Sequence, residues 1–130
     1  MDRYLFRGKA VIDGKWYYGH LSTVDDTGVP VILEPGKENH WLKVIPETVG
    51  QFTGLVDKNG VKIFEGDIVR YGNFERQPEP LVDIGIVEWK DGCFLIDGEY
   101  IDWVANEYRN REIEVIGNIH DNPELLEVKP

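Results

Sequence analysis

The stretch from Pro46 to Val69 constrains the fold more than any other part of the chain. It reads PETVGQFTGLVDKNGVKIFEGDIV and places Asn59-Gly60 between two runs of residues that favour β-strands. Asn-Gly is common in type I′ hairpin turns, because both central residues adopt left-handed backbone conformations there. The stretch therefore predicts a hairpin at Asn59-Gly60, then a turn at Gly66-Asp67 that leads into a further strand.

Three other dipeptides repeat this turn signal: Asp13-Gly14, Asp91-Gly92 and Asp97-Gly98. Between the turns the chain alternates, as in residues 82–90, where Ile84 and Ile86 fall on one side and Val87 and Trp89 on the other. A two-residue period is typical of half-buried strands. The pattern predicts strands near residues 3–11, 15–22, 29–33, 49–56, 61–64, 67–72, 82–90, 93–97 and 112–118.

Helix signals are few. Residues 100–108 place Trp103, Val104 and Tyr108 on one side of a possible two-turn helix. Asn122-Pro123-Glu124 has a capping amide, a proline at the first helical position and an acid near the positive end of the helix dipole, which predicts one short turn near the carboxyl end. The fold class is therefore mainly β.

The segments GDIV at 66–69 and GIVEW at 85–89 are arranged like the central strands of a small SH3-like barrel. Residues 46–130 are accordingly predicted to form antiparallel hairpins in a barrel-like core with a short helical turn. Residues 1–45 would add an amino-terminal β layer, and the two parts could pack as one compact unit. A chain of 130 residues with 42% apolar content is long enough to bury one core.

The formal charge of −10 makes nucleic acid and anionic membranes unfavourable partners. The single cysteine, Cys93, lies in an apolar run, which favours an interpretation as core filler. The chain begins without a signal-peptide pattern and has no apolar stretch that could span a membrane, so a cytoplasmic location is expected.

The sequence predicts no catalytic, cofactor-binding or metal-binding residue. The carboxylates of Asp57, Glu65 and Asp67 surround the predicted hairpin, but turn acids ordinarily bond to backbone, and Asp67 could cap the residues after Gly66. The histidines are far apart in the sequence, at His20, His40 and His120. The only serine, Ser22, lacks the glycine-flanked turn that exposes a nucleophile.

Aromatic residues mark the candidate partner surface. Alternation places Trp16 and Tyr18 on one face of a strand. The loop at 72–80 carries Phe74, which either meets a partner or packs beneath its own loop. The predicted surface residues are Trp16, Tyr18, Tyr71, Phe74 and Arg76.

The hairpin stretch, GIVEW at 85–89 and EVIGNIHDNPELLE at 114–127 occur in the order seen in the YopX family of bacteriophage and prophage proteins, which this chain resembles. KWYYGHL at 15–21 is also similar to a segment of that family. The resemblance implies a small β-rich accessory protein without an assigned reaction, whose relatives look like homo-oligomers.

Two function hypotheses follow. In the first, a non-enzymatic protein self-associates and also binds a phage or host protein. In the second, a small β-barrel binds single-stranded nucleic acid through Tyr71, Phe74 and Arg76 or through residues 16–18. An enzyme is a more distant third interpretation.

Overall fold

The computed structural model describes residues 5–23, 28–37, 40–104 and 112–126. These residues form two compact units, one within residues 1–54 and one within residues 55–130. The protein is mainly β, with two antiparallel sheets and few helices.

The strands are β1 Phe6–Lys9, β2 Trp16–Thr23, β3 Pro30–Leu33, β4 Trp41–Lys43, β5 Gly50–Val56, β6 Lys62–Phe64, β7 Asp67–Asn73, β8 Leu81–Lys90, β9 Cys93–Ile96, β10 Glu99–Tyr100 and β11 Glu112–Asn118. Short helices lie at Ile101–Val104 (α1, an α-helix) and at Pro46–Thr48 and Pro123–Leu126 (3₁₀ helices).

The six-stranded sheet runs in the order β4-β3-β2-β1-β5-β6. Strands β1 to β4 belong to the first unit, and β6 belongs to the second. An isolated antiparallel bridge pairs Ala10, after β1, with Val44, after β4. Because β1 and β4 lie on opposite sides of β2 and β3, this bridge requires the sheet to curve. The inner side of the curve holds the fully buried Ala10, Ile32 and Val44.

In the second unit the sheet runs in the order β10-β9-β8-β7-β11. One face of β7, β8, β9 and β11 is apolar, as the alternation predicts. Helix α1 adds Ile101 and Val104 to the core on that face. The fully or nearly fully buried core residues are Ile63, Val69, Val87, Ile96, Ile101, Val104 and Ile113.

The predicted strands are found, and two further strands occur at Trp41–Lys43 and Glu99–Tyr100. Both are too short to produce a periodic signal. Residues 101–104 of the predicted helix at 100–108 are helical, and residues 105–108 lie outside the described residues. The described strands do not form a closed barrel: β10 and β11 stand at opposite ends of the sheet order, so the SH3-like barrel is not confirmed.

Two of the four predicted type I′ turns are confirmed. Asp91 and Asp97 have φ of 53° and 50°, and each is followed by a glycine with positive φ. At Asn59-Gly60 only Gly60 is left-handed, with φ of 82°, so the type I′ prediction is wrong there. Gly60 N–H donates to the Asp57 carbonyl at 3.0 Å, and the turn belongs to the class that ends in a left-handed glycine. At Asp13-Gly14, likewise, only the glycine is left-handed.

The Asp57 carboxylate explains the different turn. Its Oδ1 accepts the backbone N–H groups of Asn59 at 2.8 Å and Val61 at 2.9 Å. Its Oδ2 accepts the Val115 N–H of β11 at 2.9 Å, and the neighbouring Lys58 N–H donates to the Ile113 carbonyl. The buried carboxylate thus shapes the hairpin turn and fastens it to strand β11.

We expect Asp57→Asn to lower the free energy of unfolding by about 2 kcal/mol, because the side-chain amide can replace one acceptor oxygen but not both. Either the turn or the Val115 N–H then loses its buried acceptor. Chemical denaturation measures the loss. Asp13→Asn is the matched control, since Asp13 also accepts a backbone N–H in a turn but is exposed, and it should cost clearly less. Equal losses in the two variants would contradict this role for Asp57.

Candidate functional site

The five predicted surface residues do not come together. Trp16 and Tyr18 lie on β2 in the first unit. Tyr71 lies on β7 in the second unit, and Phe74 and the exposed Arg76 follow it. The two groups are therefore considered separately.

The ring of Trp16 is covered by cations. The Arg7 guanidinium lies 4.6 Å from the ring centroid, and the Lys9 ammonium lies 5.6 Å from it. Arg7 is itself buried. These contacts are cation–π interactions, in which the ring already has a charged partner.

Tyr17 points to the other side of β2. Its hydroxyl donates a hydrogen bond to Asp13 at 2.7 Å. The Lys15 backbone N–H and the Tyr17 hydroxyl lower the pKa of Asp13, and the bond to Asp13 raises the pKa of Tyr17. Tyr17 therefore secures the β1–β2 loop.

Phe74 packs between two cations. The Lys58 ammonium lies 4.2 Å from its ring centroid, and the Arg70 guanidinium lies 5.2 Å from it. Arg70 is also paired with Glu114 on the neighbouring strand at 2.7 Å. Phe74 is half-buried, and this geometry matches the interpretation in which it folds back beneath its own loop.

Tyr71 contacts the core on the other face of the second sheet, and its hydroxyl donates a hydrogen bond to Asp97. Burial raises the pKa of Tyr71 well above its usual range, and the bond to Asp97 and the charges of Asp83 and Glu99 raise it further. A cavity of about 450 Å³ opens here. It is lined by Tyr71, Gly72, Asn73, Leu81, Asp83, Asp97 and Glu99.

Gly85 makes the Tyr71–Asp97 contact possible. A Cβ at position 85 would lie 2.8 Å from the Asp97 carboxylate, closer than such atoms approach. The Asp97 side chain therefore occupies the space that a larger residue at 85 would fill. Glycine in a strand often marks such a close approach.

The turn acids bond to backbone. Asp67 is fully buried, and its carboxylate accepts the Phe64 N–H, from a residue before Gly66, at 2.7 Å. Gly66, with φ of 92°, donates to the Val87 carbonyl at 2.8 Å. Asp57 and Asp67 thus have structural contacts.

Each described histidine has its own place in the fold. His20 is exposed on β2, His40 pairs with Glu34 at 2.8 Å, and His120 lies in the turn after β11. In residues 5–23, 28–37, 40–104 and 112–126, no three His, Cys, Asp or Glu side chains are placed to hold a metal ion. Cys93 is half-buried, and its thiol donates weakly to the Lys90 carbonyl, so the core-filler interpretation is wrong.

Sequence reasoning missed an apolar surface on the first unit. His20 on β2 lies opposite Leu33 on β3, which lies opposite Trp41 on β4. Tyr18 is two residues from His20 and shares its face. Tyr18, Leu33 and Trp41 are 45%, 38% and 47% exposed. We call Tyr18, His20, Leu33 and Trp41 the Trp41 patch. It depends on β4, a three-residue strand that periodicity did not predict.

The helices of the described residues include none with the length and apolar character needed to cross a membrane.

A family model described as YopX protein matches residues 5–127. A similar solved structure is the crystal structure of protein EF1440 from Enterococcus faecalis. It is 27% identical, the match covers 93% of this chain and 96% of that chain, and the TM-score is 0.57. No curated protein matches the chain.

We expect Tyr71→Phe to lower the free energy of unfolding near neutral pH. Above about pH 10 the difference in this free energy between the variant and the unchanged chain should shrink. In the folded state Tyr71 keeps its proton to a higher pH than it does in the unfolded state. Above about pH 10 the unfolded chain therefore loses this proton and is stabilised, so the contribution of Tyr71 to the free energy of unfolding falls as pH rises. Denaturation at several pH values measures this. Asp97→Asn should give an intermediate slope, because burial of Tyr71 persists. Parallel curves for the unchanged chain and Tyr71→Phe would contradict the assignment.

Proposed function

Because the chain belongs to the YopX protein family, we propose that it is a non-enzymatic accessory protein of phage or prophage origin that acts through self-association in the cytoplasm of its bacterial host. Binding of a phage or host protein by the assembled form is part of the same proposal. The observation that carries it is the Trp41 patch, where two aromatic side chains and one aliphatic side chain stand exposed on neighbouring strands. Aromatic anchors of this kind dominate many protein interfaces.

The covered strand edges support recognition through a face of the sheet. Val11 N–H donates to the Lys43 carbonyl at 2.9 Å beside β4, and Ile45 N–H donates to the Lys9 carbonyl at 2.8 Å. In the second unit, Lys58 and Asp57 bond to the outer side of β11. The chain therefore covers these parts of its strand edges itself. Side chains are then the groups that remain for contact.

The charge distribution supports a contact through the first unit. Residues 1–54 contain six Lys or Arg and seven Asp or Glu, for a formal charge of −1. Residues 55–130 contain eight and seventeen, for a formal charge of −9. Two copies repel each other least where their first units meet.

Single-stranded nucleic-acid binding through a small β-barrel is the alternative, and the contacts of its candidate residues speak against it. Stacking on bases requires accessible ring faces. Trp16 lies against Arg7 and Lys9, and Phe74 lies against Lys58 and Arg70. The four cations beside these two rings are therefore engaged with the rings that could contact bases.

We expect the mass measured by light scattering to rise above that of one chain as the concentration increases from about 1 to about 100 µM, as for an association of modest affinity. High salt should weaken it little, because the patch is apolar. A mass equal to one chain across the whole range would end the self-association proposal.

We expect labelled single-stranded oligonucleotides to show no binding at low salt, where electrostatic attraction to phosphate is strongest. Fluorescence anisotropy measures this, with a basic single-strand-binding protein as the positive control. Binding that weakens steeply with added salt would instead support the nucleic-acid alternative.

A further inference from the structure

We infer that the Trp41 patch docks face to face on the same patch of a second copy, across a two-fold axis that passes near Leu33. This inference rests on the proposed self-association and adds its surface and its symmetry. In a two-fold contact the same surface serves both partners, and a residue near the axis meets its own counterpart.

The geometry of the sheet gives the patch a defined shape. His20, Leu33 and Trp41 lie in register across three adjacent strands, and so span about 10 Å, while Tyr18 lies about 7 Å along β2. The opposite face of these strands contains the fully buried Ile32. The patch therefore lies on hydrogen-bonded backbone packed on a core, and docking requires little ordering of the chain.

The composition of the three strands favours a second copy over a nucleic acid. The sequences WYYGHLST, PVIL and WLK contain no acidic residue and one lysine, Lys43. A patch without carboxylates can face itself without repulsion between acids. A single lysine and one histidine are too few cations for a site that follows a phosphate backbone.

The area of the patch sets the expected strength. At just under half exposure, Trp41 and Tyr18 present on the order of 100 Å² each, and Leu33 presents somewhat less. A standard interface buries about 800 Å² per partner, a little over half of it apolar. The patch supplies about half of that apolar share, which predicts a weak dimer that depends on concentration.

The competing surface on the first unit is the tip of the β1–β2 loop. Val11 and Ile12 are 62% and 84% exposed there. The loop is held by the bond from Ala10 N–H to the Lys15 carbonyl at 2.9 Å. It offers two aliphatic side chains and no aromatic anchor, and it provides the matched control.

The test uses Leu33→Glu and Leu33→Lys in the full chain, with Ile12→Glu as control and sedimentation velocity as the measurement. Each Leu33 variant alone should dimerise at least tenfold more weakly than the unchanged chain, because like charges meet across the axis. An equimolar mixture of the two variants should recover dimers that contain one copy of each, since opposite charges then meet. Ile12→Glu should change the dimerisation constant less than twofold.

The outcomes separate the two proposals. If the unchanged chain is monomeric, both the proposed self-association and the proposed role of the Trp41 patch are wrong. A dimeric chain with unaffected Leu33 variants overturns the surface and leaves the self-association intact. Weaker dimerisation of both Leu33 variants without recovery in the mixture overturns the two-fold geometry, and loss of the dimer in Ile12→Glu alone assigns the contact to the loop tip.

Circular dichroism and denaturation of each variant check that it is folded. If a Leu33 variant does not fold, Trp41→Ala, which adds no charge, repeats the test.

Discussion

The second unit depends on one buried carboxylate. Asp57 accepts three backbone N–H groups, two from its own turn and one from Val115, which lies 58 residues further along the chain. A buried backbone N–H without an acceptor is costly, so these bonds fix where the hairpin turn can lie. Because the turn then covers part of β11, the same carboxylate that shapes the loop also protects a strand edge from other chains.

This use of polar groups determines what remains for recognition. The Asp67 carboxylate accepts a backbone hydrogen bond within its own turn, and the Asp97 carboxylate accepts one from the Tyr71 hydroxyl. The Arg70 guanidinium lies over the Phe74 ring and forms an ion pair with Glu114. These charged groups are engaged within their own unit. On the unit with little net charge, the side chains of the Trp41 patch stay exposed in register on neighbouring strands. The proposed recognition through an apolar face rests on these side chains.

Local sequence patterns predicted the strands and part of the turn geometry, because alternation and glycine-containing turns depend on neighbouring residues. Contacts between residues far apart in the sequence could not be predicted from these patterns. Nothing near Asp57 in the sequence indicates Val115, and nothing near Tyr71 indicates Asp97. Strand β4 was not predicted because three residues are too few to show a period. Without β4, the pairing of Leu33 with Trp41 cannot be inferred, and this is why sequence reasoning missed the Trp41 patch.

The blocks that carry the family resemblance contain the residues that build the fold. Asp57 and Asp67 lie in the stretch at 46–69, Gly85 opens GIVEW, and Val115 lies in the block at 114–127. Each of these residues has a structural contact: bonds to backbone, or space for Asp97. Of the Trp41 patch, Leu33 and Trp41 lie outside the family-like segments, whereas Tyr18 and His20 lie inside KWYYGHL at 15–21. The blocks therefore contain residues that hold the scaffold together, and the proposed contact surface draws on residues both inside and outside them.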